Sequence, residues 1–297
     1  MPFNGFAKAQ PADLCIFPMR LPFKSLFYRG RLCLWMAGAT IALGTFTARG
    51  DWQLVWSDEF NGVALDTNHW KFEIGNRHGW GNHELEYYTG RPENVCVSNG
   101  VLHIVARPKS ADGGFYTSAR LKSQGLFSRK YGRFEFRAKF PGGRGYWPAL
   151  WLMPQHSAYG RWPACGEIDV TENRGSNPSV VQGTIHYAGV DGRHLSSAGT
   201  YTFPPDDGAT NFHVYLLEWT TNSINWYVDN HLYETQTNWS TVEAAYPAPF
   251  DQPFYIIMNL AVGGDFGGNP DAHTVFPGEM QVDYVRVYAN VATNSVR

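Results

Sequence analysis

Through much of the chain, short runs of alternating apolar and polar residues recur between turn-forming residues. Residues 101–106 (VLHIVA), 132–140 (GRFEFRAKF), 180–187 (VVQGTIHY), 213–219 (HVYLLEW), 223–228 (SINWYV), 254–262 and 281–288 (QVDYVRVY) follow this pattern. A period of two belongs to a strand whose successive side chains point to opposite faces. Ser98-Asn99-Gly100, Val228-Asp229-Asn230 and Pro141-Gly142-Gly143 separate the runs; such residues supply the backbone angles that tight turns need. This spacing predicts antiparallel sheets rather than βαβ units. The fold class is therefore all-β, a two-sheet antiparallel β-sandwich. From Trp52 onward there is no linker, repeat or low-complexity tract, so residues 51–297 read as one domain.

One run departs from the alternation. Residues 166–172 read GEIDVTE, with carboxylates at Glu167, Asp169 and Glu172. A regular strand sends Glu167 and Asp169 to one face and Glu172 to the other. A β-bulge between Asp169 and Glu172 adds one residue and returns Glu172 to the first face. Crowded carboxylates raise at least one pKa, as a general acid requires. The competing reading is a solvated acidic face on a half-exposed sheet. Trp147, Trp151, Tyr159 and Trp162 lie close by in sequence, and acids beside aromatic platforms suit a sugar polymer. Folding the hairpin about residues 174–179 (RGSNPS) brings His186 roughly opposite Glu167. There it would hydrogen-bond or orient a carboxylate, or serve structure alone.

Composition narrows the partners. The 297 residues include 11 Trp, 16 Tyr and 19 Phe, with 17% charged residues and a net charge of −2. No basic patch dominates, which argues against nucleic acid. Residues 1–50 differ from the rest: Arg29 and Arg31 precede an apolar run, residues 32–48, that ends in small residues. This is the layout of a secretory signal peptide, with translation starting at Met19 rather than Met1. A run of about 17 residues barely spans a bilayer, so a removed leader is favoured over a retained anchor. The expectation is a secreted protein, extracellular or periplasmic, a monomer with no stable membrane association after signal removal. Removal would take Cys15 and Cys33, leaving Cys96 and Cys165 either bridged or as two buried thiols. No paired CxxC or HExxH spacing points to a catalytic metal.

Seven further segments, in order, make the chain recognisable: LVWSDEFNG (54–62), GNHELEYYT (81–89), ENVCVSNGVLHI (93–104), the long segment 120–154 containing YWPALWLMP, HVYLLEW with INWYVDN (213–230), PFYIIMNLAVGG (253–264) and MQVDYVRVY (280–288). With GEIDVTE, they resemble glycoside hydrolase family 16, in particular its bacterial laminarinase-like endo-β-1,3-glucanases. The resemblance implies a β-jelly roll with a concave cleft for a β-glucan chain. It implies Glu167 as nucleophile, Glu172 as general acid/base and Asp169 as the carboxylate that tunes them, in a retaining mechanism. It further implies sugar stacking by Trp162 and Trp219, with Trp147 and Trp151 extending the platform. Arg120 matches an arginine pointing into the cleft, and Asn82, Glu86 and His186 are candidate hydroxyl partners. A structural calcium would involve Glu59, Gly100 and Asp283; no cofactor is implied for catalysis. Bulged ExDxxE members favour β-1,3-glucan, whereas lichenase-like members carry ExDxE, and agarases and carrageenases share the bulged form. A non-catalytic β-glucan-binding protein is the rival from another class, and the presence of both Glu167 and Glu172 speaks against it.

Overall fold

The computed structural model describes residues 51–108 and 115–291. The leader-like segment and its two cysteines lie outside the described residues. In chain order the strands are β1 Asp51–Asp58, β2 Lys71–Phe72, β3 Glu86–Tyr88, β4 Val95–Ser98, β5 Val101–Pro108, β6 Tyr116–Ser118, β7 Arg120–Lys122, β8 Gly132–Lys139, β9 Tyr146–Pro154, β10 Glu167–Asn173, β11 Val180–Ala188, β12 His194–Thr202, β13 His213–Trp219, β14 Ile224–Val228, β15 His231–Gln236, β16 Phe254–Val262 and β17 Gly278–Val291. Among the described residues helix is limited to a 3-10 turn at Gly79–Gly81 and one α turn, α1, at Gly264–Gly267. None of these helices is long and apolar enough to cross a membrane.

Two sheets form. Ten strands run in the order β15-β14-β13-β8-β17-β5-β6-β3, with β1 beside β17 and β4 beside β5; seven run β12-β11-β10-β9-β16-β7-β2. Asn99 and Gly100 (φ 54° and 73°) and Asp229 and Asn230 (φ 47° and 68°) make the left-handed turns that join β4 to β5 and β14 to β15. The pairing is antiparallel except between β3 and β6, which run parallel.

Alternation decides what lies between the sheets. Leu150 and Leu152 of β9, Ile168 and Val170 of β10, and Met258 and Leu260 of β16 face Phe134 and Phe136 of β8 and Leu217 and Trp226 of β13 and β14 in one core. Each large side chain fully removed from water contributes about 1.5–3 kcal/mol. Trp219 belongs to this core, which corrects the expectation that it stacks on sugar. It is 1% exposed, lies edge-on to Phe254, and its indole N–H donates to the Phe250 carbonyl. It shares the inward face of β13 with Tyr215 and Leu217, in the sheet opposite the carboxylates. Cys165 is a buried free thiol, so no Cys96–Cys165 bridge forms.

Candidate active site

The seven-stranded sheet turns its outer face to the site. On β10, Ile168 and Val170 point into the core, leaving Glu167 and Asp169 outward. Against β11 the register runs Glu167 with His186, Asp169 with Thr184, then Glu172 with Gln182; against β9 it runs Asp169 with Trp151, then Glu172 with Ala149. Three residues of β10 thus advance against two on each neighbour, which is the expected bulge, and it restores Glu172 to the face of Glu167 and Asp169.

The bulge is held from the other sheet. Trp226 of β14 is fully buried, and its indole N–H donates to the Asp169 carbonyl at 2.8 Å. Gly183 makes room for this. It lies between the β11 partners of Asp169 and Glu172, and a Cβ there would come within 2.3 Å of the Trp226 ring.

Each glutamate accepts an indole hydrogen bond, Glu167 from Trp162 at 2.9 Å and Glu172 from Trp147 at 2.8 Å. Asp169 and Glu172 are buried, whereas Glu167 is partly exposed. Burial, then the neighbouring Asp169 charge, pushes Glu172 up to about 8, with the Trp147 hydrogen bond working against the shift. Burial and Asp169 likewise push Glu167 up to about 8, opposed by His186 and Trp162. Burial raises Asp169 to about 7, opposed by a hydrogen bond from Glu167. The three titrate as one coupled group. Burial is the largest cause of the rise in all three, and the Asp169 charge adds to it at both glutamates.

His186 Nε2 lies 3.1 Å from Asp169 Oδ2. That oxygen nevertheless has no well-directed hydrogen bond, so the contact is electrostatic. His186 Nδ1 is 2.8 Å from His194 Nε2, and the Trp162 ring centre is 4.6 Å from that of His194. Glu167, Asp169 and His186 present one ligand atom each within 4.8 Å of one another, a donor set suited to a first-row transition ion.

The other expected residues divide. Trp147, Trp151 and Trp162 stand at the site; Trp162 is 48% exposed with its ring tilted against His194, while Trp147 packs against Phe266. Arg120 lies between the Trp80 and Trp151 rings, 4.6 and 4.7 Å from their centres, and its Nε donates to Glu73 at 2.7 Å. Asn82 is exposed at the edge and donates to Glu84. Glu86 is fully buried and accepts the Val262 N–H, so it cannot meet a substrate hydroxyl. Both carboxylate oxygens of Glu59 bind Arg286, and Asp283 binds Arg137. These side chains as placed do not fit a cation: calcium would have to displace both arginines or rely on main-chain carbonyls such as that of Gly100. No chemical step passes through it.

Three contributors escaped the sequence reading: Trp80 over Arg120, Asn259 beneath Trp151, and Trp226 behind the bulge. Asn259 left a trace, as the lone amide in the apolar run PFYIIMNLAVGG.

Comparison with known proteins agrees with this geometry. Residues 81–286 match the family described as glycosyl hydrolases family 16. Glucan endo-1,3-beta-glucosidase A1 of Niallia circulans is 45% identical over 271 residues, 84% of this chain but 40% of that longer protein. The beta-glucanase of Rhodothermus marinus is 48% identical over 251 residues, 80% of this chain and 85% of that one. The X-ray structure of the laminarinase from Rhodothermus marinus superposes with a TM-score of 0.74 at 47% identity, over 82% of this chain and 99% of that one. The bulged acidic strand, the two-sheet sandwich and these relatives lead to one assignment: the chain is a glycoside hydrolase and belongs to glycosyl hydrolase family 16.

Proposed function

We propose that this protein is a secreted retaining endo-β-1,3-glucanase acting on laminarin-type β-glucan. The observation that carries the reading is the pair Glu167 and Glu172 on one bulged face, each oriented by an indole N–H, with Asp169 between them. Glu167, ionised, attacks the anomeric carbon and forms a glycosyl ester while Glu172 gives its proton to the departing glycosidic oxygen. Glu172, now a carboxylate, takes a proton from water; the resulting attack at the same carbon frees Glu167 and retains configuration. Asp169 shares a hydrogen bond with Glu167, and its charge raises both glutamates toward the range where one proton can be held between them, which this mechanism places on Glu172. Trp162 presents a ring face beside Glu167 for the sugar bound there. Action on β-1,3 bonds is supported by the bulged motif and by the names of the relatives, and secretion by the leader-like residues 1–50.

The test is reducing-sugar release from laminarin, lichenan, agarose and carrageenan, with the product anomer followed by proton NMR. Laminarin is expected to be the best substrate and the β anomer the first product. Glu167→Ser should lose at least about 10³-fold in kcat. An α anomer first, or faster cleavage of a galactan, overturns the proposal.

A further inference from the structure

The GNHELEYYT segment was expected to reach substrate through Asn82 and Glu86, yet Glu86 is sealed away. Its surroundings suggest another use. The Trp151 indole N–H donates to Asn259 Oδ1 at 2.7 Å; Asn259 Nδ2 donates to the Tyr88 hydroxyl at 3.0 Å; Tyr88 donates to Glu84 Oε2 at 3.1 Å. Tyr88 is fully buried, and Asn259 and Glu84 are 5% and 6% exposed.

An indole can only donate, so Asn259 must turn its oxygen to Trp151 and its NH2 to Tyr88. The tyrosine oxygen is then an acceptor, and its one proton has to go to Glu84. The chain has a single possible polarity, ending on a carboxylate. Glu86, beside Glu84, has one oxygen on the Val262 N–H and is held protonated by burial and by the Glu84 charge.

We propose that the chain Trp151–Asn259–Tyr88–Glu84 is a positioning relay that fixes the Trp151 indole beside the catalytic carboxylates. Trp151 pairs directly with Asp169 across β9 and β10. One ring face is covered by Arg120, and its edge is pinned by the relay, so its remaining freedom is small. Asn82 closes the far end by donating to Glu84 Oε1 at 3.0 Å. The buried residues of the GNHELEYYT motif thus act on substrate through Trp151 rather than by contact. This inference rests on the glucanase reading for its kinetic consequence but not for the hydrogen-bond chain itself.

Two readouts separate these. In the first, Tyr88→Phe and Asn259→Ala are each combined with Trp151→Phe and assayed on laminarin oligosaccharides. Each single variant is expected to lower kcat/KM about 10-fold, and to change it less than about twofold once Trp151 is phenylalanine. Equal losses in both backgrounds would show a merely structural role and overturn the relay. In the second, which needs no substrate, hydrogen exchange of the Trp151 indole proton is followed by NMR, its resonance identified with Trp151→Phe. Either relay variant should speed exchange about 10-fold or more in folded protein; unchanged exchange in both overturns the proposal. If wild type cleaves none of the glucans, the glucanase reading falls while the exchange result still judges the relay.

Discussion

Gly183→Ala tests how the bulge is held. The added methyl would sit 2.3 Å from Trp226 Cδ1, 2.6 Å from its Nε1 and 2.7 Å from the Tyr233 hydroxyl oxygen. Carbon atoms at van der Waals contact need about 3.5–4.0 Å, so over 1 Å of movement is required of an indole that is fully buried. Overpacking of this kind costs about 1–3 kcal/mol. Moving the indole also strains or breaks its hydrogen bond to the Asp169 carbonyl, worth about 0.5–1.5 kcal/mol. Together these give about 1.5–4.5 kcal/mol, or a Tm lower by about 3–18 °C for a chain of this size. Because the same carbonyl sits in the bulge that aims Glu172, kcat/KM should fall about 10- to 100-fold at a temperature where the variant is folded. Thermal unfolding by circular dichroism and laminarin hydrolysis measure the two effects. Trp226→Phe is the control: it removes the N–H without adding atoms, and should reproduce the kinetic loss with a smaller contact penalty. A Tm within about 2 °C of wild type together with full activity would refute the view that Gly183 and Trp226 hold the bulge.

The raised pKa of Glu172 sets a sign for pH dependence: the folded state binds this proton more tightly than the unfolded chain, so the stability it contributes is complete below about pH 4 and is lost as pH rises to about 8. Glu172→Gln should therefore raise Tm over wild type by roughly 5 °C at pH 8 and by much less at pH 4; a pH-independent difference would contradict the assignment. In the wild type the alkaline limb of kcat/KM should lie near pH 8, and a limb unmoved by altering Asp169→Asn would show that these carboxyls do not titrate together. Trp162→Phe removes the donor to Glu167 but keeps a ring, so it should act on kcat, whereas Trp162→Ala should also raise KM about 10-fold; identical kinetics for the two would refute the double role. Cu2+ should inhibit competitively with glucan and be reversed by chelator, through Glu167, Asp169 and His186; inhibition unaltered in His186→Ala would place the ion elsewhere.

Alternation made the strands legible, since it is imposed residue by residue, and β13 begins and ends where the pattern does, whereas β16 shows itself as a continuous apolar run buried along its whole length. The bulge was legible for the same reason: three acids cannot share a face of β10 without an extra residue. His186 opposite Glu167 followed from the length of a local hairpin. What failed depended on distant partners. Alternation puts Tyr215, Leu217 and Trp219 on one face of β13 but does not say which sheet that strand joins. Glu86 is acidic and sits in a polar motif, yet its burial comes from β16, more than 160 residues later in the chain. The parallel β3–β6 pairing likewise leaves no local mark.

The bulge also makes a deletion informative. Val170 points into the core and is the residue that the β9 ladder skips, while Thr171 faces Leu150 and is fully buried with its hydroxyl unpaired. Without Thr171, Asp169 would still face Thr184 and Trp151, Val170 would face Gly183 and Leu150, and Glu172 would still face Gln182 and Ala149. No register slip is needed on either side, and Glu172, now three residues after Ile168 in an unbroken alternation, keeps the face of Asp169. The buried unpaired hydroxyl, a cost of about 1–3 kcal/mol, also disappears. The Asp169 carbonyl, however, returns toward the ladder and away from the Trp226 indole that now holds it. Deleting Thr171 should thus give a folded protein that retains three outward carboxylates and the partners of Glu172, while the backbone between Asp169 and Glu172 loses the bulge that now aims the Glu172 side chain. Its hydrolysis of laminarin should fall more than its hydrolysis of lichenan, since the regular ExDxE spacing is the lichenase-like form. If the deletion instead prevents folding, the bulge is bearing load in β10 and cannot be an inserted residue whose role is to aim Glu172.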